Sequence, residues 1–363
     1  MIERAYLDTI SGTSRGILPS AARSAFWAAS HVYRGVIARK NLQYDVRVTS
    51  GEIGRAPVPV VSVGNLTAGG TGKTPVVGHL AQLMTSWGYR VGLISRGYSS
   101  RGNSLSESDA GNDEKRVLRT ICPQVPHWQH RDRVAAAKHA CQVAELDVLI
   151  LDDGFQHRRL HRDVNIVLID ATNPWGYGHL LPRGLLREPL SSLRRADIVL
   201  LTRCDAVSQD DVSNIKKTIA LHHQTVPILE TSFPVVGLRN AHGQTQPVES
   251  LALNRVGAFC GIGNPVAFRK TLSASGFEPA WLKEFGDHHA YTALDLARLI
   301  DQLRDEPVDA VLCTLKDLVK IERTTLGETP LWSVEIGTTF SQEPEEVIRA
   351  LRNVLPERGS VAA

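Results

Sequence analysis

A lysine and a threonine stand side by side in a glycine-rich loop, Gly64-Asn-Leu-Thr-Ala-Gly-Gly-Thr-Gly-Lys-Thr-Pro75. That pattern suits the triphosphate of a nucleotide. The backbone N–H groups of Thr67, Ala68, Gly69, Gly70, Thr71 and Gly72 can turn inward around phosphate oxygens. Lys73 would reach the β- and γ-phosphates, and the Thr74 hydroxyl would ligate Mg²⁺. A second candidate is Asp152-Asp153-Gly154, where two carboxylates follow the apolar run Val148–Leu151. A carboxylate there would hold Mg²⁺ directly or through water, completing the set begun by Thr74. The plainer alternative is an Asp-Asp-Gly turn.

The elements that must position these groups are legible around them. The β-branched run from Val58 to Val63 precedes the loop, and Val76, Val77, Leu80, Leu83 and Met84 follow at helical spacing up to Gly88. Strand, loop and helix are the context a phosphate-binding P-loop needs. The helix N-terminus adds unpaired donors, and Pro75 is tolerated in a first turn. One departure is Thr67, which stands where the loop ordinarily opens with glycine. Further buried-type strands are expected at 91–94, 148–151, 165–170, 198–202, 257–261, 310–314 and 331–335. Helical patterns are expected at 18–45, 131–145, 209–222, 264–276, 292–304 and 343–354. The alternation implies an α/β fold with a P-loop NTPase-type parallel sheet, and ligands at the carboxyl ends of its strands. The polar stretch from Ser99 to Glu114 reads as a loop.

At 363 residues the chain exceeds one typical core, so two domains are the default. A net charge of +3 does not call for a nucleic-acid partner, and no obligate protein partner is evident. The five cysteines are scattered and lack Cys-x-x-Cys spacing, which argues against a disulfide framework or a structural zinc site. No apolar run is long enough for a transmembrane helix. Residues 18–45 combine Phe26, Trp27, Tyr33, Val36 and Ile37 with Arg23, Arg34, Arg39 and Lys40. Such a helix either lies in a membrane interface or packs on the protein's own core. Guanine-nucleotide switches are the rival P-loop class. Leu201-Thr-Arg-Cys-Asp205 only faintly matches their base-reading Thr-Lys-x-Asp, and Leu151 stands where their Asp-x-x-Gly switch needs aspartate. A metallochaperone-like switch and a P-loop binding module without turnover stay open at this point.

Seven blocks together resemble the tetraacyldisaccharide 4'-kinases, the lipid A 4'-kinases of Gram-negative bacteria, from about residue 18 to about 340. They are Val63–Pro75, Ser95-Arg-Gly-Tyr98, Leu151-Asp-Asp-Gly-Phe-Gln-His157, Leu180–Pro189, Gly261-Ile-Gly-Asn-Pro265, Asp287-His-His289 and Thr314-Leu-Lys-Asp317. Two places depart from the pattern. Gly111-Asn-Asp-Glu-Lys115 stands for the usual Gly-Asp-Glu-Pro, and Leu315 for the glutamate of Thr-Glu-Lys-Asp.

The resemblance implies transfer of the γ-phosphate of ATP, with Mg²⁺, to the 4'-hydroxyl of a tetraacylated glucosamine disaccharide 1-phosphate. It implies a peripheral, monotopic enzyme at the cytoplasmic face of the inner membrane, which favours the interfacial reading of residues 18–45. It makes Asp113 the base on the sugar hydroxyl, helped by His288. It assigns Glu188 to Mg²⁺ and Arg187 to phosphate charge. It sets Arg96, Tyr98 and Arg133 near the acceptor or its 1-phosphate. It also implies a P-loop kinase domain over residues 1–163, rejoined by 340–363, and a second α/β/α domain over 164–339.

Overall fold

Two helices open the chain, α1 (Ile2–Ser11) and the 33-residue α2 (Ile17–Thr49). The computed structural model describes residues 2–97, 113–251 and 255–357. Beyond α2, seven strands form one sheet: β1 (Val60–Asn65), β2 (Val91–Ser95), β3 (His127–Gln129), β4 (Val148–Asp152), β5 (Val164–Asp170), β6 (Ile198–Thr202) and β7 (Ile228–Ser232). Their order is β7-β6-β5-β1-β4-β2-β3, and every neighbouring pair is parallel. A two-residue strand at Thr339–Phe340 extends the β7 edge. Every residue of β1, β2, β4 and β6 is buried. That is why these strands are continuous apolar runs rather than alternating ones.

The helices that cover this sheet come from the same unit: α3 (Lys73–Ser86), α5 (Arg133–Val143), α6 (Gln209–Ala220) and the returning α10 (Glu345–Val354). Helix α4 (Asp113–Ile121) belongs to the second unit, with α7 (Pro265–Ala274), α8 (Ala293–Asp305) and α9 (Leu315–Ile321). The second sheet runs β11-β10-β12-β14-β8-β9, from β8 (Val235–Arg239), β9 (Thr245–Gln246), β10 (Val256–Cys260), β11 (Leu282–Glu284), β12 (Ala310–Thr314) and β14 (Thr329–Ile336); β13 (Thr325–Leu326) pairs β14 from the side. This sheet is mixed: β10, β11, β12 and β14 are parallel, and β8 joins β14 antiparallel.

The domain boundary differs from the expected one. Residues 164–232 do not leave the first sheet. Val164 pairs with Val61 and Leu168 with Asn65, so β5 lies directly beside the P-loop strand. The first unit therefore runs to Ser232, and the chain crosses at Phe233. Residues 113–123, expected in the first domain, join the second unit. A buried parallel strand is the same apolar run whichever sheet it joins, so sequence alone misplaces it.

Helix α2 divides its residues by the helical period. Phe26, Ser30, Tyr33, Ile37, Asn41 and Tyr44 form the covered side, and Ser30 is buried. Phe26 meets the Tyr6 ring edge-on at 5.8 Å. Ile17, Leu18, Trp27, Val32, Val36, Leu42 and Val46 are exposed. The reading of this segment as packed on the protein's own core holds for its covered side. Phe26, Tyr33 and Ile37 are inward rather than surface groups. Arg23 is turned into the α1–α2 corner, where it donates to the Ser14 carbonyl at 2.9 Å.

Candidate active site

The P-loop geometry grows from the close approach of β1 and β4. They are adjacent, with Val63 opposite Asp152, so the acidic pair emerges beside the loop. Gly154 is demanded by that approach, because a Cβ there would lie 2.4 Å from Ser62 Oγ. Gly72 caps α3 at φ 85°, a left-handed conformation in which a side chain is strained. Lys73 Nζ donates to Asn65 Oδ1 at 3.3 Å and stands 3.5 Å from Asp153 Oδ1. Arg187 Nη1 reaches both Asp153 oxygens, at 2.9 and 3.0 Å. Burial alone pushes the Asp153 carboxyl up. Lys73 and Arg187 outweigh it and hold the group below the usual carboxylate range.

The loop is also braced from the end of β6. Thr202 Oγ1 donates to the Thr71 carbonyl and Arg203 Nη2 to the Gly70 carbonyl, both at 3.0 Å. The segment that faintly matches a base-reading motif is therefore a buttress for the P-loop. On the other side, the Ala68 N–H donates to Leu185 O and the Arg187 N–H to Leu66 O.

Arg187 and Glu188 point apart. Glu188 is buried, and its Oε2 accepts from Asn41 Nδ2 at 2.9 Å, Ser192 Oγ at 2.9 Å and Arg195 Nη2 at 2.6 Å. The contacts of this oxygen run to α2, Ser192 and Arg195. The carboxylate ties α2 to the Arg187 segment. Tyr33 adds a second tie, its hydroxyl donating to the Arg187 carbonyl at 2.9 Å.

Arg96 is exposed just beyond β2. Arg133 opens α5 and is buried, donating to the Arg131 carbonyl at 3.2 Å. Tyr98 lies outside the described residues. His157 closes the acidic block. Burial, Arg133 and Arg159 push its imidazole down to about 3, so the ring is neutral at physiological pH.

In the second unit, the presumed polar loop ends earlier than expected: Asp113 already starts α4. Its Oδ2 lies 3.1 Å from His288 Nδ1 and 2.9 Å from Lys320 Nζ. The structure thus brings Asp113 and His288 together, and adds a lysine that the sequence reading missed. Lys320 lies one turn beyond Lys316 in the Thr314–Asp317 block, which was the one available signal. Burial pushes the Asp113 carboxyl up, and Lys320 followed by His288 reverses this and holds it low. His288 itself sits at φ 54°, uncommon for a non-glycine residue.

One buried carboxylate gathers the remaining blocks. Asp317 Oδ1 accepts from the Gly261 N–H at 3.1 Å and from the Tyr291 hydroxyl at 2.9 Å, and its Oδ2 from Thr314 Oγ1 at 2.6 Å. Burial and Asp317 push the Tyr291 hydroxyl up, which keeps it a donor. Leu315, where glutamate was expected, packs against the apolar cluster around Phe259 and Leu318.

Among the described residues no three His, Cys, Asp or Glu side chains gather to hold a metal by themselves. A P-loop site needs none, because Mg²⁺ is bound by one or two protein oxygens together with substrate phosphates. Thr74, Asp152 and Asp153 offer hard oxygen donors of that kind.

Residues 22–356 match the family model described as tetraacyldisaccharide-1-P 4'-kinase. The chain belongs to this kinase family. A tetraacyldisaccharide 4'-kinase of Halothermothrix orenii is 34% identical over 344 residues, covering 89% of each chain. One of Geobacter metallireducens is 41% identical over 276 residues, 72% of this chain and 78% of its own. Among solved structures, the LpxK of Aquifex aeolicus in complex with ATP superposes with a TM-score of 0.73 at 29% identity, over 92% of this chain and all of that one. Membership of the family establishes the P-loop α/β fold class and favours a kinase over a GTPase or metallochaperone-like switch.

Proposed function

We propose that this chain moves the γ-phosphate of ATP to the 4'-hydroxyl of a tetraacylated glucosamine disaccharide 1-phosphate, with Mg²⁺, at the cytoplasmic face of the inner membrane. The observation that carries this reading is Asp113 held at 3.1 Å from His288 in a member of the 4'-kinase family. A sugar hydroxyl is a weak nucleophile until a carboxylate takes its proton. In the reaction the hydroxyl oxygen replaces ADP on the γ-phosphorus, and its proton passes to Asp113. His288 orients that carboxylate and shares its charge. Apart from Ala68, whose N–H is taken by the Leu185 carbonyl, the amides of Thr67 to Gly72 and the Lys73 ammonium hold the triphosphate. Thr74, Asp152 and Asp153 are the residues that would hold Mg²⁺. Glu188, whose Oε2 accepts three hydrogen bonds, is a further carboxylate proposed for the ion. Bound there, the ion would supply charge neutralisation at the β and γ oxygens. Arg187 supplies further positive charge toward the phosphates, and Arg96 and Arg133 are the described cations proposed for the acceptor's anionic headgroup.

The assay is direct. ATP and purified disaccharide 1-phosphate should yield a product one phosphate heavier over many turnovers. GTP hydrolysis without use of the acceptor would instead support a switch protein.

Membrane approach rests on α2. No helix of the described residues is long and apolar enough to cross a membrane. Trp27, Val32 and Val36 are nevertheless exposed on α2, with Arg34, Arg39 and Lys40. Each cation near an anionic surface is worth about 1 kcal/mol, so a few suffice for reversible attachment. Trp27→Ser with Val32→Ser should weaken binding to anionic vesicles and raise the apparent KM for vesicle-borne acceptor. Turnover on detergent-dispersed acceptor should change far less. Unchanged vesicle binding in the folded double variant would remove α2 from the membrane reading.

A further inference from the structure

Helix α2 carries polar groups on its covered side, where each must find a partner within the protein. Asn41 is one of them. Its Nδ2 donates to Glu188 Oε2 at 2.9 Å, and its Oδ1 lies 3.5 Å from Arg158 Nη1. The amide can stand only one way round, because a guanidinium calls for the oxygen and a carboxylate for the N–H. The backbone at this point is held as well, since Arg158 Nη1 donates to the Asn41 carbonyl at 3.0 Å. Four residues on, Asp45 pairs with Arg158 Nη2 at 2.6 Å and with Arg194 Nη2 at 3.2 Å. The Asn41 N–H is therefore aimed by groups other than the one it serves.

The carboxylate it serves is used unevenly. The Glu188 side chain is only 3% exposed, yet Asn41, Ser192 and Arg195 all address Oε2. Among the described residues no donor reaches Oε1. A buried carboxylate kept for packing alone would have both oxygens paired, because an unpaired one carries its full desolvation cost. Three donors on one oxygen fix the plane of the group and leave the other oxygen for a ligand. The surroundings join this group to the acidic block. The Arg195 guanidinium lies 4.3 Å from the centre of the Phe155 ring, two residues past Asp153, and Arg187, just before Glu188, pairs with Asp153 itself.

We propose that Asn41 is a positioning residue of the metal site: from α2 it clamps Oε2 of Glu188 and so presents Oε1 to Mg²⁺. This rests on the reading of Glu188 as a carboxylate for the ion. Ser192 and Arg195 lie on the helical turn Leu190–Arg195, just past Glu188, and hold it from its own segment. Asn41 stands 147 positions away and brings α2 into the same grip. Mg²⁺ demands near-ideal octahedral geometry, so a carboxylate fixed in one plane binds it better than one free to turn. The helix whose outer side is proposed for the lipid surface thus carries, on its inner side, a hold on the phosphate-transfer site.

The test reads the metal as well as turnover. ADP binding is followed by calorimetry across a Mg²⁺ titration, and its midpoint is set beside the Mg²⁺ midpoint of kinase activity on detergent-dispersed acceptor. In Asn41→Ala both midpoints should rise roughly tenfold, the usual cost of removing an outer partner of a metal-binding group. ADP affinity without metal should match wild type, and saturating Mg²⁺ should restore most of the turnover. Asp45→Asn loosens the same end of α2 without touching Glu188, and its midpoints should stay near wild type. In a Glu188→Gln background, Asn41→Ala should raise the midpoints no further. Should Asn41→Ala fail to fold, Asn41→Ser must show the same rise. Unmoved midpoints in a folded Asn41 variant, an equal rise in Asp45→Asn, or an equal further rise in the Glu188→Gln background overturns the proposal. The two readings fail separately. Wild-type midpoints in Glu188→Gln remove the carboxylate from the metal, whereas raised midpoints in Glu188→Gln with unmoved ones in Asn41→Ala remove only the asparagine's role.

Discussion

Lys73→Ala removes most phosphoryl transfer from a protein that still folds. The Lys73 ammonium is aimed by Asn65 and Asp153 from the first turn of α3. Its work is on charge that grows at the γ-phosphate, not on the core. Removing one such electrostatic group typically costs roughly 10²–10³-fold in turnover. Asp153 does not become an orphan in the variant, because Arg187 still donates to both of its oxygens. The melting transition should therefore move little while single-turnover transfer collapses. A folded Lys73→Ala protein with near-wild-type turnover would falsify the P-loop assignment.

Asp113→Asn should lower kcat by roughly 10²–10⁴-fold, the usual worth of a positioned general base. ATP affinity should be nearly unchanged, since Asp113 and the phosphate loop belong to different units. Glu114→Gln makes the comparison sharp. Asn112 shifts the usual Gly-Asp-Glu spacing by one residue, so either carboxylate could occupy the family's position by alignment. Geometry chooses Asp113, the residue against His288 and Lys320. Benign Asp113→Asn with a crippled Glu114→Gln would reverse that choice. The asparagine also leaves Lys320 without its anion. Some loss of thermal stability should accompany the catalytic loss, and circular dichroism measured beside the kinetics separates the two.

The nucleotide half of the site was readable because its chemistry is contiguous. Strand, glycine loop, Lys73-Thr74 and helix follow one another in about thirty residues, and each local preference agrees with the next. The acidic pair was readable for a related reason, since an apolar run that ends in Asp152-Asp153-Gly154 must present carboxylates at a strand's carboxyl end. The two faces of α2 were also present as a period. Phe26, Ser30, Tyr33, Ile37, Asn41 and Tyr44 recur every three or four residues, a spacing that marks one side of a helix.

What the sequence by itself determined is therefore local: the phosphate loop, the strand–helix alternation, and the inventory of blocks that mark the kinase family. Only the tertiary structure decided which elements those blocks meet. It assigned β5, β6 and β7 to the first sheet, because a buried strand's partners are chosen by packing along both its edges and not by its own residues. It sent Arg187 to Asp153 and the adjacent Glu188 to Asn41 and Arg195. It set Lys320 against Asp113, 207 positions away in the chain, through the packing of α9 on α4. Contacts of that range depend on how separate helices and strands bury their apolar faces against one another, and no window of neighbouring residues carries that information.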